Sequence, residues 1–194
     1  MIREEFPGRI ALVSSFGSES AILLHMIAGI EPELPVIFLD THKLFGETLR
    51  YRERLVDSLG LRDVRSVQPD LVRVRQMDPD GLLWQQNPDA CCNLRKVAPL
   101  DTALGDFDAW ITGRKRYQGE RRAVLPVIEA SGGRVKINPL ASWTREIVDE
   151  YFVEHGLPRH PLEAEGYLSI GCMPCTDRVA AGEGTRAGRW RAAE

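Results

Sequence analysis

The chemistry-bearing residues of this sequence concentrate in four cysteines that form two tight pairs, Cys91-Cys92 and Cys172-Met173-Pro174-Cys175. A C-x-x-C spacing offers two thiolates in one bite, as zinc and iron–sulfur sites require. Adjacent cysteines rarely bond to each other, because the resulting disulfide is strained. Zinc ribbons draw their two knuckles from nearby stretches, whereas these pairs stand far apart in the chain. A vicinal pair suits a centre with several metal atoms, each accepting one thiolate. The competing readings are buried free cysteines and a redox-active C-x-x-C.

Three polar segments carry the rest. Residues 14–20 read SSFGSES. The hydroxyls of Ser14, Ser15, Ser18 and Ser20 can donate to anionic oxygens, Gly17 can take a positive φ, and the first N–H groups of a following helix add a positive dipole end. Phe16 and Glu19 complete the segment. It matches neither the dinucleotide fingerprint nor the nucleoside-triphosphate loop, and a plain strand-to-helix turn with an N-cap serine is the competing reading. Asp40 and Thr41 can read a base or ribose, or simply make an Asx turn. Residues 113–122 read GRKRYQGERR, with Gly113, Gln118 and five cations: Arg114, Lys115, Arg116, Arg121 and Arg122. In a chain of net charge −3 they make a local positive field, and arginine grips phosphate or sulfate bidentately. A solvated charged loop is the alternative. His25 and His155 read as boundary residues; His160, Tyr167 and Trp143 either line a site or pack.

The elements that must position these segments alternate. Ile10–Ser14, Val36–Leu39, Val64–Val67 and Ala109–Thr112 are short apolar runs that read as buried parallel strands. Helical spacing covers 18–27, 47–59 with Gly60 closing it, and 144–155 behind Thr144 as N-cap. Further helix is expected over 71–77 and 91–104, and a hairpin joins 124–128 to 134–137 through Ser131-Gly132-Gly133. The expected fold is α/β: an open, mostly parallel sheet with helices on both faces. Ligands of such sheets sit outside the carboxyl ends of the strands, where all three polar segments fall.

At 194 residues, 43% hydrophobic and 27% charged, the chain reads as one domain over 1–194, with 157–194 largely irregular and carrying the C-x-x-C. The slight negative charge argues against nucleic acid as partner. No apolar run approaches bilayer length, and Glu4 and Glu5 stand where a signal peptide needs positive charge, so a cytoplasmic location is expected. A homo-oligomer is left open.

In this order, SSFGSES, LDTHKLF, CCNLRKVAPL, WITGRKRYQ, NPLASWTRE and GYLSIGCMPCT resemble the assimilatory sulfonucleotide reductases, and within them the iron–sulfur branch of adenylyl-sulfate reductases. The resemblance implies an adenine nucleotide α-hydrolase-like fold and a [4Fe-4S] cluster on Cys91, Cys92, Cys172 and Cys175. It implies that the serine segment, Asp40, Thr41 and the basic segment hold adenosine 5′-phosphosulfate, with Lys96 and Arg116 as electrostatic catalysts. The implied reaction is attack of a cysteine thiolate on the sulfate sulfur with departure of AMP, followed by release of sulfite by thioredoxin. A phosphoadenylyl-sulfate reductase and a cluster-bearing nucleotide-binding protein without turnover are the alternatives. An ATP-using adenylating enzyme is a further rival, but its loop resembles SGGxDS, which SSFGSES lacks. The sequence departs from the family in three places. It ends at RAGRWRAAE, where a tail resembling ECGLH with the nucleophilic cysteine is expected. Little precedes the first strand. Lys115, Tyr117, Gly119 and His42 replace residues common among relatives.

Overall fold

The structure, a computed structural model, describes residues 2–119 and 122–191. Its strands are β1 (Ile10–Ser14), β2 (Val36–Leu39), β3 (Val64–Val67), β4 (Ala109–Thr112), β5 (Ile128–Ser131) and β6 (Arg134–Ile137). Its α-helices are α1 (Ile2–Glu5), α2 (Ser20–Ile30), α3 (Gly46–Leu59), α4 (Leu71–Met77), α5 (Leu83–Gln86), α6 (Pro88–Cys92), α7 (Ala98–Ala103) and α8 (Arg145–Glu154).

The strands form one sheet in the order β3-β2-β1-β4-β6-β5. Every pairing is parallel except that of β5 with β6. β1 lies between β2 and β4, with Leu12 opposite both Val36 and Ile111. Both faces are covered, which is why β1, β2 and β4 read as continuous apolar runs. On one face Leu12, Val36, Phe38 and Ile111 pack with Ile22 and Leu24 of α2, Leu55 of α3, and Val148 and Phe152 of α8. On the other, Ala11 and Ile37 meet Leu104 and Phe107, backed by Leu100 and Ala103 of α7. The expected α/β sheet with helices on both faces is therefore the observed one.

Local signals account for most boundaries. α3 stops at Gly60, at φ +64°, where the Leu61 N–H reaches back to the Val56 carbonyl, a Schellman closure. Asp70 caps α4 by accepting from the Val72 N–H at 2.8 Å, and Thr144 caps α8 by accepting from Ile147 N–H at 3.4 Å. Two boundaries differ from expectation. The helix after the serine segment begins at Ser20 and has no side-chain cap: its N-cap residue is Glu19, whose carboxylate accepts from Lys115 and Gln118, and the Ser18 hydroxyl donates to the Leu168 carbonyl at 3.1 Å. Residues 124–127 are not strand: the Leu125 N–H turns back onto Arg122 O, and Pro126 has no N–H for a ladder. β5 runs on through Ser131, so the hairpin turn is Gly132-Gly133 alone, at φ +61° and +76°, as a type I′ turn requires.

The helical stretch over 91–104 contains a wide π turn at Asn93–Val97 between α6 and α7, a local irregularity that often marks functional sites. From residue 157 on, the described chain holds 3-10 turns at Pro161–Glu165 and Met173–Cys175 and bridges of Leu44 with Cys172 and of Thr176 with Arg189. Among the described residues no helix is long and apolar enough to cross a membrane.

Candidate functional site

Strand order reverses between β1 and β4, and a crevice must open above their carboxyl ends. A cavity of ≈ 360 Å³ lies there, walled by parts of all three polar segments and by the C-terminal stretch. From the first segment, Ser14, Ser15, Gly17, Ser18, Glu19 and Ser20 face it. Phe16 does not: its ring is fully buried, edge-on to Phe38 at 5.4 Å between centroids. Phe16, not Gly17, is the left-handed residue, at φ +47°. Gly17 is needed for a close approach, since a Cβ there would stand 3.3 Å from both Ile170 O and Ser15 Oγ.

At the end of β2 the two expected residues separate. Asp40 is outside the cavity wall and accepts from the His42 N–H at 3.0 Å, an Asx turn that holds His42 at φ +58°. Thr41 is buried in the wall, with Oγ1 3.1 Å from Cys172 Sγ.

The basic segment carries less free charge than its sequence suggests. Gly113, Arg114, Lys115, Gln118 and Arg122 reach the cavity. Arg114 is ion-paired to Glu129, and buried Lys115 to Glu19 at 2.9 Å. Burial pushes the Lys115 ammonium down, and Glu19 pulls it back. Arg116 lies outside the wall and donates from Nε to Leu125 O at 2.9 Å. Arg121 lies outside the described residues. Arg122 donates to the Gln118 side-chain oxygen and has no carboxylate partner among the described residues. Burial, then Arg186 and Arg114, bring it down to about 10.

The structure adds Ser169, Arg186, Arg189 and Trp190 to the wall, none of which the sequence singled out. Arg186 is likewise brought down to about 10, by burial and by Arg189. Arg189 is pushed down by burial, against the pull of Cys172, Cys175 and Cys92. Trp190 stacks its ring on both guanidinium groups, 5.2 Å from Arg186 and 4.7 Å from Arg189. Gly171 makes room for this: a Cβ there would stand 2.6 Å from the Arg189 guanidinium carbon. The sequence trace of the group is Arg-x-x-Arg-Trp in a glycine-rich stretch, and it shows no periodicity from which to read a face. Three guanidinium groups thus share one cavity without a carboxylate partner among the described residues, an arrangement that an anion would relieve.

All four cysteines, none in a disulfide, line a second, small void with Trp84, Pro88, Arg95 and Lys96. Burial raises the Cys91 thiol, with Arg95 opposing, and raises the Cys175 thiol, with Cys172 adding to the rise. The helical segment bearing Cys91 and Cys92 is clamped by buried Arg95, which bonds Asp78 Oδ2 at 2.7 Å and Thr41 O at 3.0 Å. Burial pushes the Asp78 carboxyl up, but the Leu83 N–H and Arg95 outweigh it and hold it low. The other pair is held by the Met173 N–H on Lys43 O at 2.7 Å. All four thiols line the void, and among the described residues no group of three or more His, Cys, Asp or Glu is placed to hold a metal ion. Lys96 and Cys172 line both void and cavity. Of the other candidates, His160 is buried, bonding Thr48 Oγ1 at 3.0 Å and Leu162 N–H at 3.2 Å. His25 bonds Tyr151, on which Trp143 packs.

Comparison with known proteins decides the family. Residues 9–178 match the phosphoadenosine phosphosulfate reductase domain. The chain belongs to that family. It is 54% identical over 188 residues to the adenosine 5′-phosphosulfate reductase of Mesorhizobium japonicum, covering 97% of this chain and 74% of that protein. Among solved structures of this family it is similar to the phosphate complex of phosphoadenylyl-sulfate reductase from Candida auris, with a TM-score of 0.72, 30% identity and coverage of 85% and 81%. The fold extends beyond the reductase family: FMN adenylyltransferase of Candida glabrata matches at a TM-score of 0.62 and 14% identity, over 88% of this chain and 56% of that one. This is the adenine nucleotide α-hydrolase-like architecture.

Proposed function

We propose that the protein is an adenosine 5′-phosphosulfate reductase that forms sulfite and AMP with thioredoxin as reductant, and that its four cysteines hold a [4Fe-4S] cluster. The observation that carries the reading is the convergence of Arg122, Arg186 and Arg189, uncompensated by described carboxylates, on one cavity that shares Lys96 and Cys172 with a cysteine-lined void. A phosphosulfate is an anion with two charged groups in series, and such a cavity stabilises it. The name of the Mesorhizobium relative supports the unphosphorylated 3′ position; that of the Candida auris structure supports the 3′-phosphorylated substrate as the alternative.

The cysteine void fits the cluster by its chemistry. It offers four free thiols, with Lys43 and Lys96 in its wall to offset the thiolates, while Arg95 is paired with Asp78. Cys91, Cys92, Cys172 and Cys175 would hold the cluster, which when bound supplies a fixed electrostatic charge beside the substrate and a covalent tie between the helical segment and the C-terminal stretch. The chain's own residues account for the rest. Ser14, Ser15 and Ser20 offer donors to the phosphosulfate oxygens, while Thr41, Gly113 and Gln118 complete the wall. A thiolate approaching a sulfur surrounded by anionic oxygens is repelled unless cations screen it. Arg122, Arg186, Arg189 and Lys96 provide that preorganised field. In the attack a sulfur–sulfur bond forms, the bond from sulfur to the bridging phosphate oxygen breaks, and AMP leaves with the electron pair. Thioredoxin then reduces the S-sulfonate, freeing sulfite and the thiol. All four cysteines of the sequence ring the void, so the attacking thiolate comes from elsewhere, a further stretch of polypeptide or a separate protein.

The test is calorimetric titration of the anaerobically purified protein with adenosine 5′-phosphosulfate and with its 3′-phosphorylated form, followed by a sulfite assay with thioredoxin. Tighter binding of the first is expected, with sulfite release where the assay also supplies the attacking thiolate. Binding without sulfite supports a nucleotide-binding protein without turnover, which the engagement of every thiol in the void favours. Preference for the 3′-phosphorylated form reassigns the substrate, and indifference to both overturns the reading.

A further inference from the structure

We infer that Glu19 is a positioning residue: its buried carboxylate ties the basic segment and the C-terminal stretch to the end of β1 and thereby places Arg122 and Arg186 over the anion cavity. The inference rests on the sulfonucleotide reading of that cavity.

A carboxylate in the wall of an anion site is out of place electrostatically unless its charge is spent. Here it is. Glu19 Oε2 accepts from Lys115 Nζ at 2.9 Å and from Gln118 Nε2 at 2.8 Å. Oε1 accepts from Tyr117 Oη at 2.5 Å and from Arg145 Nη1 at 3.4 Å. Four donors match the lone-pair capacity of a carboxylate, so nothing is left to accept from a ribose hydroxyl. The side chain is only 6% exposed. Burial raises its carboxyl, but Lys115, Tyr117 and Arg145 outweigh burial and keep it ionised.

Two of the four donors lead onward to the free cations. Gln118 presents its other side-chain atom, Oε1, to Arg122 and to the Lys115 N–H. Arg145, on the first turn of α8, donates from Nη2 to Thr185 Oγ1 at 3.4 Å, and Thr185 precedes Arg186 in the chain. One carboxylate therefore joins three segments that are remote in sequence. Those segments supply two of the guanidinium groups that lack carboxylate partners. Lys115, which the sequence offered as a ligand for the substrate, acts in this arrangement as the counter-charge of Glu19.

The experiment is a double-mutant cycle on the cluster-loaded protein, read by calorimetric affinity for adenosine 5′-phosphosulfate. Glu19→Gln preserves shape but replaces an acceptor with an amide donor, so at most two of the four donors keep partners. It is expected to weaken binding at least tenfold. Arg122→Ala is expected to cost about tenfold in the wild-type background but less than threefold beside Glu19→Gln, because the guanidinium is already misplaced there. Additive losses mean that Glu19 supports the fold without acting through Arg122, and overturn the inference; so does unchanged affinity in Glu19→Gln. If Glu19→Gln does not fold, the same cycle is run with Gln118→Met, which leaves the Lys115–Glu19 pair and cuts the link to Arg122. Failure of the wild-type protein to bind the sulfonucleotide would strike the proposed function itself, whereas normal wild-type binding with additive losses strikes only this inference.

Discussion

Gly171→Ala separates ligand binding from folding in this cavity. Gly171 is not in a left-handed conformation, so alanine is free of backbone strain, and its smaller unfolded-state entropy adds about 0.4–1 kcal/mol of stability. The new methyl stands 2.6 Å from the Arg189 guanidinium carbon. That is the far end of a flexible side chain, so the chain yields and the fold is kept. What is lost is the place of the cation, together with its stacking on Trp190. A charge-assisted contact contributes roughly 1.5–3 kcal/mol, which at 1.4 kcal/mol per decade is about a 10- to 150-fold loss of sulfonucleotide affinity. Calorimetry measures the affinity, urea denaturation the stability, and iron content checks that the proposed cluster site at Cys172, the next residue, is undisturbed. Arg189→Ala should show the same loss, and the double variant no further loss. Wild-type affinity in Gly171→Ala would refute the assignment of Arg189 to the anion, and a fall in stability parallel to the fall in affinity would refute the separation.

Other outcomes follow from the same contacts. Asp78→Asn leaves buried Arg95 without its counter-charge and is expected to cost about 3–5 kcal/mol in urea denaturation, with loss of iron because the segment bearing Cys91 and Cys92 loses its clamp. Cys91→Ser and Cys175→Ser should each abolish the iron and sulfide content of anaerobic preparations; unchanged iron in both would remove them as ligands. Arg116→Ala should leave sulfonucleotide affinity within about twofold, since its guanidinium bonds Leu125 O outside the wall, whereas removing a cation that reaches the ligand costs about tenfold or more. His160 is held neutral by burial, its pKa pushed down to about 4. The unfolded state therefore binds the extra proton first, so this contribution to stability is intact above about pH 6.5 and is lost as pH falls from there toward 4. Denaturation midpoints measured across that window should fall less steeply in His160→Gln; identical slopes would contradict the assignment.

Much of the fold was legible because it rests on local or periodic rules. The strand runs of β1, β2 and β4 are apolar on both faces, and Gly60 and Thr144 are end signals whose mechanism is confined to a few neighbouring residues. The hairpin was legible from Gly132-Gly133, but its first strand was displaced, because Pro126 and the turn of Leu125 onto Arg122 compete with pairing over 124–127. The site was legible only in part. Residue types offered the serine segment and the basic segment, but not which cations remain free: Glu129 and Glu19, which offset Arg114 and Lys115, are distant in sequence.

The sequence by itself determined the alternation of strand and helix, the ends of the strands at which a ligand must sit, and the set of four thiols, since each depends on residue type and short-range spacing. Tertiary structure alone decided that Arg186, Arg189 and Trp190 belong to the anion cavity, that Asp40, Phe16 and Arg116 point away from it, and that Lys96 and Cys172 stand between cavity and void. Charge compensation and burial act through space between segments far apart in the chain, and no local pattern in a single sequence encodes them.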